Sequence, residues 1–121
     1  MIVEDNVGLS QIQKDWFDQA GYDAITAMNE PVARALIRKN KFDLILSDVR
    51  LPEGDGISLL KWLKKEKVDI PFIITTEYVS VPDVVRTIKM GAKDYLPKPV
   101  RREHLLELAE EVVHPVATLK K

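Results

Sequence analysis

The sequence predicts an α/β fold: a doubly wound, five-stranded parallel sheet with five helices spread over both faces. Three observations carry that expectation. Short apolar runs alternate with amphipathic stretches along the whole chain. Two of the runs, Phe42–Leu46 and Pro71–Ile74, are nearly continuous in apolar residues, as strands buried on both faces require. Turn and cap residues separate each run from the stretch that follows it.

The first strand is Met1–Val3, which stops at Glu4. A helix follows from Val7 to Ala20, with Leu9, Ile12, Trp16 and Ala20 at helical spacing, Asp5 or Asn6 as its cap and Gly21 to close it. The second strand falls within Tyr22–Ala27. The second helix runs from Glu30 to Asn40, with Pro31 in its first turn and Ala33, Leu36 and Ile37 facing inward. The third strand, Phe42–Leu46, ends at Ser47-Asp48, and the third helix after Asp55-Gly56 carries Ile57, Leu60 and Leu63. Pro71–Ile74 is the fourth strand and ends at Thr75-Thr76. The fourth helix carries Val81, Val84, Val85 and Ile88 before Gly91. Asp94–Leu96 is the fifth strand, and the last helix carries Leu105, Leu108, Ala109 and Val112. Residues 115–121 read as a tail or the start of a linker.

Composition narrows the function. The chain has 121 residues, enough for one domain with its own core. At 45% hydrophobic and 31% charged it is an ordinary globular sequence. A net charge of −1 offers no global attraction to nucleic acid or to an anionic membrane. Without cysteine there is no disulfide, thiolate metal site or cysteine nucleophile, which fits a cytoplasmic setting. No apolar run approaches a membrane span, and Met1–Asp5 turns acidic too early for a signal peptide.

Ligand sites of open α/β sheets lie outside the carboxyl ends of the strands. The residues just past those ends are therefore the candidates: Glu4 and Asp5, Asp48, Thr76 and Lys98. Three clustered carboxylates repel one another, and a hard divalent cation such as Mg²⁺ relieves the repulsion. A phosphoryl oxygen completes its coordination, with Lys98 supplying charge and Thr76 a hydroxyl from the other side. The set suits phosphoryl transfer to a carboxylate.

The acidic pair Glu4-Asp5, the stretch Asp48-Val49-Arg50-Leu51-Pro52-Glu53-Gly54-Asp55-Gly56, then Thr76, and Asp94-Tyr95-Leu96-Pro97-Lys98-Pro99 are together similar to the motifs of one family. The chain resembles the receiver domain of two-component response regulators over essentially its whole length. The resemblance implies the CheY-like strand order 2-1-3-4-5. It implies that Asp48 accepts a phosphoryl group from a sensor histidine kinase or phosphotransfer protein. It also implies that Glu4, Asp5, Asp48 and the backbone carbonyl of Arg50 hold Mg²⁺, and that Lys98 pairs with Asp48. Thr76 and Tyr95 are the implied switch pair, moving inward together, and Pro99 the residue after a cis bond. The readout surface would be the fourth helix, fifth strand and fifth helix, with Val81, Val85, Lys89, Tyr95 and Arg101 on or near it; a homodimer through that face is a further expectation. The output domain, expected beyond the tail, would control transcription. The flavour is closest to receivers of sigma-54-dependent activators. The domain itself is no classical enzyme: it catalyses only its own aspartyl phosphorylation and dephosphorylation.

Several features depart from the family pattern. The chain starts three residues before Glu4, which predicts a shortened first strand and some lost stability. Glu77 follows Thr76 where the family has a small residue, so it is expected to narrow access or repel phosphate. Arg50 and Tyr78 stand where the family tunes phosphoryl lifetime, and Leu51 replaces a commoner Met. The alternative function is a degenerate receiver that docks proteins independently of phosphorylation. A flavodoxin-like redox module lacks its phosphate cradle here, because Glu4-Asp5-Asn6 occupies that place. An aspartyl phosphatase of the commonest type needs a second Asp where Arg50 stands. His104, His114, Trp16, Trp62 and the lysines between Lys61 and Lys67 read as solvated or packing residues.

Overall fold

The computed structural model describes residues 1–114, and the tail expected at 115–121 lies outside the described residues. In chain order the elements are β1 (Ile2–Val3), α1 (Val7–Gln19), β2 (Thr26–Ala27), α2 (Glu30–Lys39), β3 (Ile45–Asp48), α3 (Gly56–Lys65), β4 (Phe72–Thr76), α4 (Val81–Lys89), β5 (Asp94–Pro97) and α5 (Arg102–Val113). The strands form one parallel sheet in the order β2-β1-β3-β4-β5, as expected.

Alternate side chains of each strand enter opposite cores. Val3, Ile45, Phe72, Ile74 and Tyr95 pack on one face against Ala33 and Ile37 of α2, Ile57, Leu60 and Leu63 of α3, and the partly buried Val84 of α4. Ile2, Leu46, Ile73 and Leu96 pack on the other against Phe17 of α1 and Leu105 and Ala109 of α5. Helices thus cover both faces, and the central strands have no wet side.

Strand boundaries differ from the sequence reading for reasons of pairing. β1 is the short strand expected. β3 begins at Ile45 rather than Phe42: the Met1 ammonium reaches Leu44 O at 2.7 Å, but the regular ladder starts where Ile45 N–H donates to Pro71 O and Leu46 N–H to Met1 O. β3 and β4 also run on to include Asp48 and Thr76, which were expected just beyond them; Asp48 pairs with Thr75, and Thr76 with Pro97. β2 shrinks to two residues because Tyr22 and Ala24 turn their N–H groups back to α1, to Phe17 O and Asp18 Oδ1.

One helix face is corrected. In α1 the buried residues are Ser10, Gln13 and Phe17, and Ile12 is exposed, so the helix is rotated by about one residue from the apolar stripe. Asn6, not Asp5, caps it, accepting Leu9 N–H at 3.0 Å. In α4 the buried residue is Thr87, while Val81, Val85 and Ile88 face solvent. The remaining helices bury the positions expected or their immediate neighbours.

Candidate functional site

Parallel pairing brings Glu4, Asp5, Asp48, Thr76 and Lys98 to one edge of the sheet. Glu4 follows β1 and donates its N–H to Ala27 O at 2.9 Å. Asp48 ends β3, and the next N–H, of Val49, donates to Thr75 O at 3.0 Å. Thr76 ends β4, and its carbonyl accepts Lys98 N–H at 2.7 Å, which ties the residue after β5 to the edge of β4. The Lys98–Pro99 bond is cis, as expected.

The centre of the site is a buried ion-paired trio. Lys98 Nζ donates to Asp48 Oδ2 and to Glu4 Oε1, each at 2.7 Å. The pairing with Asp48 was expected; the one with Glu4 was not visible in the sequence. Asn6 N–H donates to the other Glu4 oxygen at 3.0 Å. Burial raises the Glu4 carboxyl above the usual range, and the hydrogen bonds from Lys98 and Asn6 offset only part of that. For Lys98, burial pulls the ammonium down, but the two carboxylates outweigh it and the net direction is up. The lysine is therefore charged at neutral pH, and neither carboxylate is left as an isolated buried charge.

Asp5 completes the cluster from the exposed side. Oxygens of Glu4, Asp5 and Asp48 all lie within 4.8 Å of one another. Three hard oxygen donors, two buried and one open to solvent, fit a Mg²⁺ ion that keeps several waters. Arg50 lies beside them: its N–H donates to Asp48 Oδ1 at 3.3 Å, which fixes the start of the loop whose carbonyl the resemblance assigns to the metal.

The two residues expected to act as a switch, Thr76 and Tyr95, are placed differently from each other. Tyr95 already lies in the core, only 8% exposed, and burial is the first cause of its raised phenol pKa. Thr76 is buried too, but its hydroxyl is engaged with Tyr78: it accepts Tyr78 N–H at 3.1 Å and donates to Tyr78 O at 3.2 Å. The Tyr78 ring lies under the Arg50 guanidinium, 4.3 Å from carbon to ring centroid, a stack that bridges the β3–α3 and β4–α4 loops. Glu77 is exposed. A separate cleft of about 360 Å³ opens at the opposite end of the sheet, lined by residues that include Met1, Phe17, Tyr22 and Leu44, away from this cluster.

Fold and site together define a phosphoryl-responsive α/β domain. The chain belongs to the response regulator receiver domain family, whose model matches residues 1–110. It is 37% identical over 113 residues to the transcriptional regulatory protein ZraR of Salmonella typhimurium, covering 93% of this chain and 26% of that protein. It is 32% identical to the response regulator protein PilR of Pseudomonas aeruginosa over 89% of this chain and 24% of the relative. The chain thus spans about a quarter of the length of these curated relatives. Among solved structures, the receiver domain of the Francisella response regulator 1452 superposes with a TM-score of 0.88 at 32% identity, covering 93% of each chain. The non-phosphorylated HemR receiver domain from Leptospira biflexa gives 0.87 at 31%, covering 98% of this chain and 96% of that one. Receiver domains bind Mg²⁺ at such an acidic pocket and act as phosphorylation switches rather than as classical enzymes. No described helix is long and apolar enough to cross a membrane.

Proposed function

We propose that residues 1–114 form an active receiver in which Asp48 accepts a phosphoryl group in the presence of Mg²⁺. The observation that carries this reading is the Lys98 ammonium held between Asp48 and Glu4, with Asp5 completing the carboxylate cluster. Glu4, Asp5, Asp48 and the Arg50 carbonyl would hold the cation, which supplies positive charge against the crowded carboxylates and the incoming phosphoryl oxygens. Asp48 attacks phosphorus through a carboxylate oxygen. The phosphorus–nitrogen bond of a donor phosphohistidine breaks, and the imidazole leaves with the electron pair. Lys98 then turns from a bare carboxylate to the new phosphoryl oxygens, a differential contact that favours a second conformation.

Thr76 is the other such contact. Its hydroxyl leaves the Tyr78 backbone to donate to the phosphoryl group, and the β4–α4 loop follows it. The signal reaches an output through α4, β5 and α5, with Val81, Val85, Lys89 and Arg101 on the responding face and Tyr95 packed beneath it. We further propose a sensor histidine kinase or phosphotransfer protein as donor and an output domain beyond this chain that controls transcription, in the manner of sigma-54-dependent activators. The setting is cytoplasmic, homodimerisation occurs through the α4–β5–α5 face, and this domain has no direct contact with nucleic acid or membrane. Nothing favours the phosphorylation-independent docking alternative.

The test is intact-mass analysis after incubation with Mg²⁺ and acetyl phosphate. One phosphoryl group should be gained by the parent, lost on chelation of Mg²⁺ and absent from Asp48→Asn. A folded parent that binds Mg²⁺ yet gains nothing from acetyl phosphate or from a phosphorylated kinase would return the chain to the docking class.

A further inference from the structure

Glu30 is a buried carboxylate that the phosphoryl chemistry does not use. It stands in the first turn of α2, where an acidic side chain is favoured by the helix dipole and would ordinarily be solvated. Here it is only 4% exposed, and it reaches the β3–α3 loop at Asp55. One oxygen accepts Asp55 N–H at 3.1 Å. The other accepts Ser58 Oγ at 3.1 Å and Arg34 Nε at 2.8 Å, with a second contact from Arg34 Nη2. The charge is therefore paired and both oxygens are engaged, as a buried carboxylate needs.

The loop is shaped around this group. Gly54 has φ +111°, and a Cβ built there would collide with Glu30 Oε1 and lie 2.9 Å from Glu30 Cβ. Asp55, held by Glu30 through its N–H, bridges back to Arg50 in an antiparallel pair and caps α3 by accepting Ser58 N–H at 2.6 Å. Gly56 N–H donates to Val49 O at 2.8 Å, which closes the loop beneath. At the near end, Arg50 N–H meets Asp48 Oδ1. A chain of contacts thus runs from Glu30 through Asp55 to Arg50 and the carboxylate cluster.

We propose that Glu30 is a positioning residue for the cation site: it clamps the far end of the β3–α3 loop and so fixes where Arg50 presents its backbone carbonyl. The inference rests on the Mg²⁺ reading of the Glu4, Asp5 and Asp48 cluster. Glu30 touches neither the cluster nor the cation; it acts through Asp55 and Arg50. Partners at one remove from a metal carry a large share of its affinity, about tenfold or more when lost.

The experiment is a Mg²⁺ titration of the whole chain followed by backbone amide resonances, with Glu30→Ala, Glu30→Gln and a distant destabilised control, Leu105→Ala in α5. Glu30→Ala should weaken Mg²⁺ binding about tenfold, and should shift the Asp55 and Arg50 amides before any metal is added. Glu30→Gln keeps an acceptor for Asp55 N–H and should restore most of the affinity. Leu105→Ala should keep parental affinity despite its loss of stability. Parental affinity in both folded Glu30 variants overturns the proposal, as does equal weakening in Leu105→Ala, which would reduce the effect to general stability. If Glu30→Ala does not fold, Glu30→Asp decides: the shorter side chain keeps the charge but draws back from Asp55 N–H, so displaced metal-free Asp55 and Arg50 amides support the clamp, and parental positions overturn it. A parent that shows no Mg²⁺ binding overturns the underlying site reading instead, and the clamp with it.

Discussion

The β3–α3 loop and the β4–α4 loop leave adjacent strands at the same edge of the sheet, but only the first is tied down. Glu30 holds its far end, Asp55 caps α3 with a 2.6 Å hydrogen bond, and α3 buries Ile57, Leu59, Leu60 and Leu63. Across the site, Ser80 caps α4 at 3.4 Å, Thr87 is the residue α4 buries, and Tyr78, Val79, Val81, Val85 and Ile88 are exposed. Elements with few buried apolar contacts open at the lowest cost and are the ones that move. On the proposed reading, a phosphoryl group on Asp48 would work against a fixed side and a compliant side. The response would then be directed into α4, because α3 has no comparable freedom.

The largest test of that asymmetry is a pair of truncations. Leu63→Ala, at a fully enclosed position of α3, should cost about 3 kcal/mol in urea unfolding. Val85→Ala on α4 should change stability by no more than about 0.5 kcal/mol. Similar losses at the two sites would abolish the distinction between a fixed and a compliant side. Next in size is Gly56→Ala at the start of α3. A Cβ there would overlap the Asp48 carbonyl oxygen and lie 2.9 Å from Ser47 Oγ, both in the buried floor of the site. Relief requires β3 and α3 to separate, at about 2 kcal/mol, and phosphorylation of Asp48 should slow with it. An unchanged melting curve and an unchanged rate would show that the α3 side yields as readily as the α4 side.

How far the sequence reached follows the same division between local and distant contacts. The strand runs and the α3 stripe were legible because a parallel sheet buried on both faces needs apolar residues at those positions. Glu4, Asp5, Asp48, Thr76 and Lys98 were legible because parallel strands deliver their carboxyl ends to one edge. The α1 face was misread because Ser10 and Gln13 are buried while Ile12 is exposed, so apolar spacing points the wrong way. The α4 stripe is split: Val84 packs against the core, while Val81, Val85 and Ile88 face solvent, because periodicity marks an apolar face without saying how much of it this chain covers. Contacts between remote residues left no local sign. Glu30 meets Asp55 and Ser58 across 25 and 28 residues, and Lys98 meets Glu4 across 94.

A smaller effect is expected at the Arg50–Tyr78 stack that joins the two loops. Tyr78→Ala removes the ring beneath Arg50 and loosens the backbone that engages Thr76. Such an exposed cation–π pair is worth about 0.5 kcal/mol, so stability should barely change. The aspartyl-phosphate lifetime, followed by loss of the phosphoryl mass, should shorten severalfold as water gains access. A lifetime equal to the parent's would mean that the compliant loop responds without help from Arg50.

The smallest expected effect lies outside both loops and is needed to read acid titrations of either. Asp18, at the end of α1, pairs with Lys14 at 2.7 Å and accepts Ala24 N–H at 3.0 Å. The Lys14 hydrogen bond is the first cause of its carboxyl lying below the ordinary value of 3.8, and the Ala24 N–H is the second. A folded-state pKa lower than the unfolded one stabilises the ionised fold. That contribution is complete above pH 3.8 and drains away as pH falls from there through the lowered folded value. Asp18→Asn should flatten this part of the urea-midpoint profile on the acid side and leave the neutral region nearly unchanged, because the pair is exposed and screened. If the acid slope persists in Asp18→Asn, the protons belong to carboxylates elsewhere.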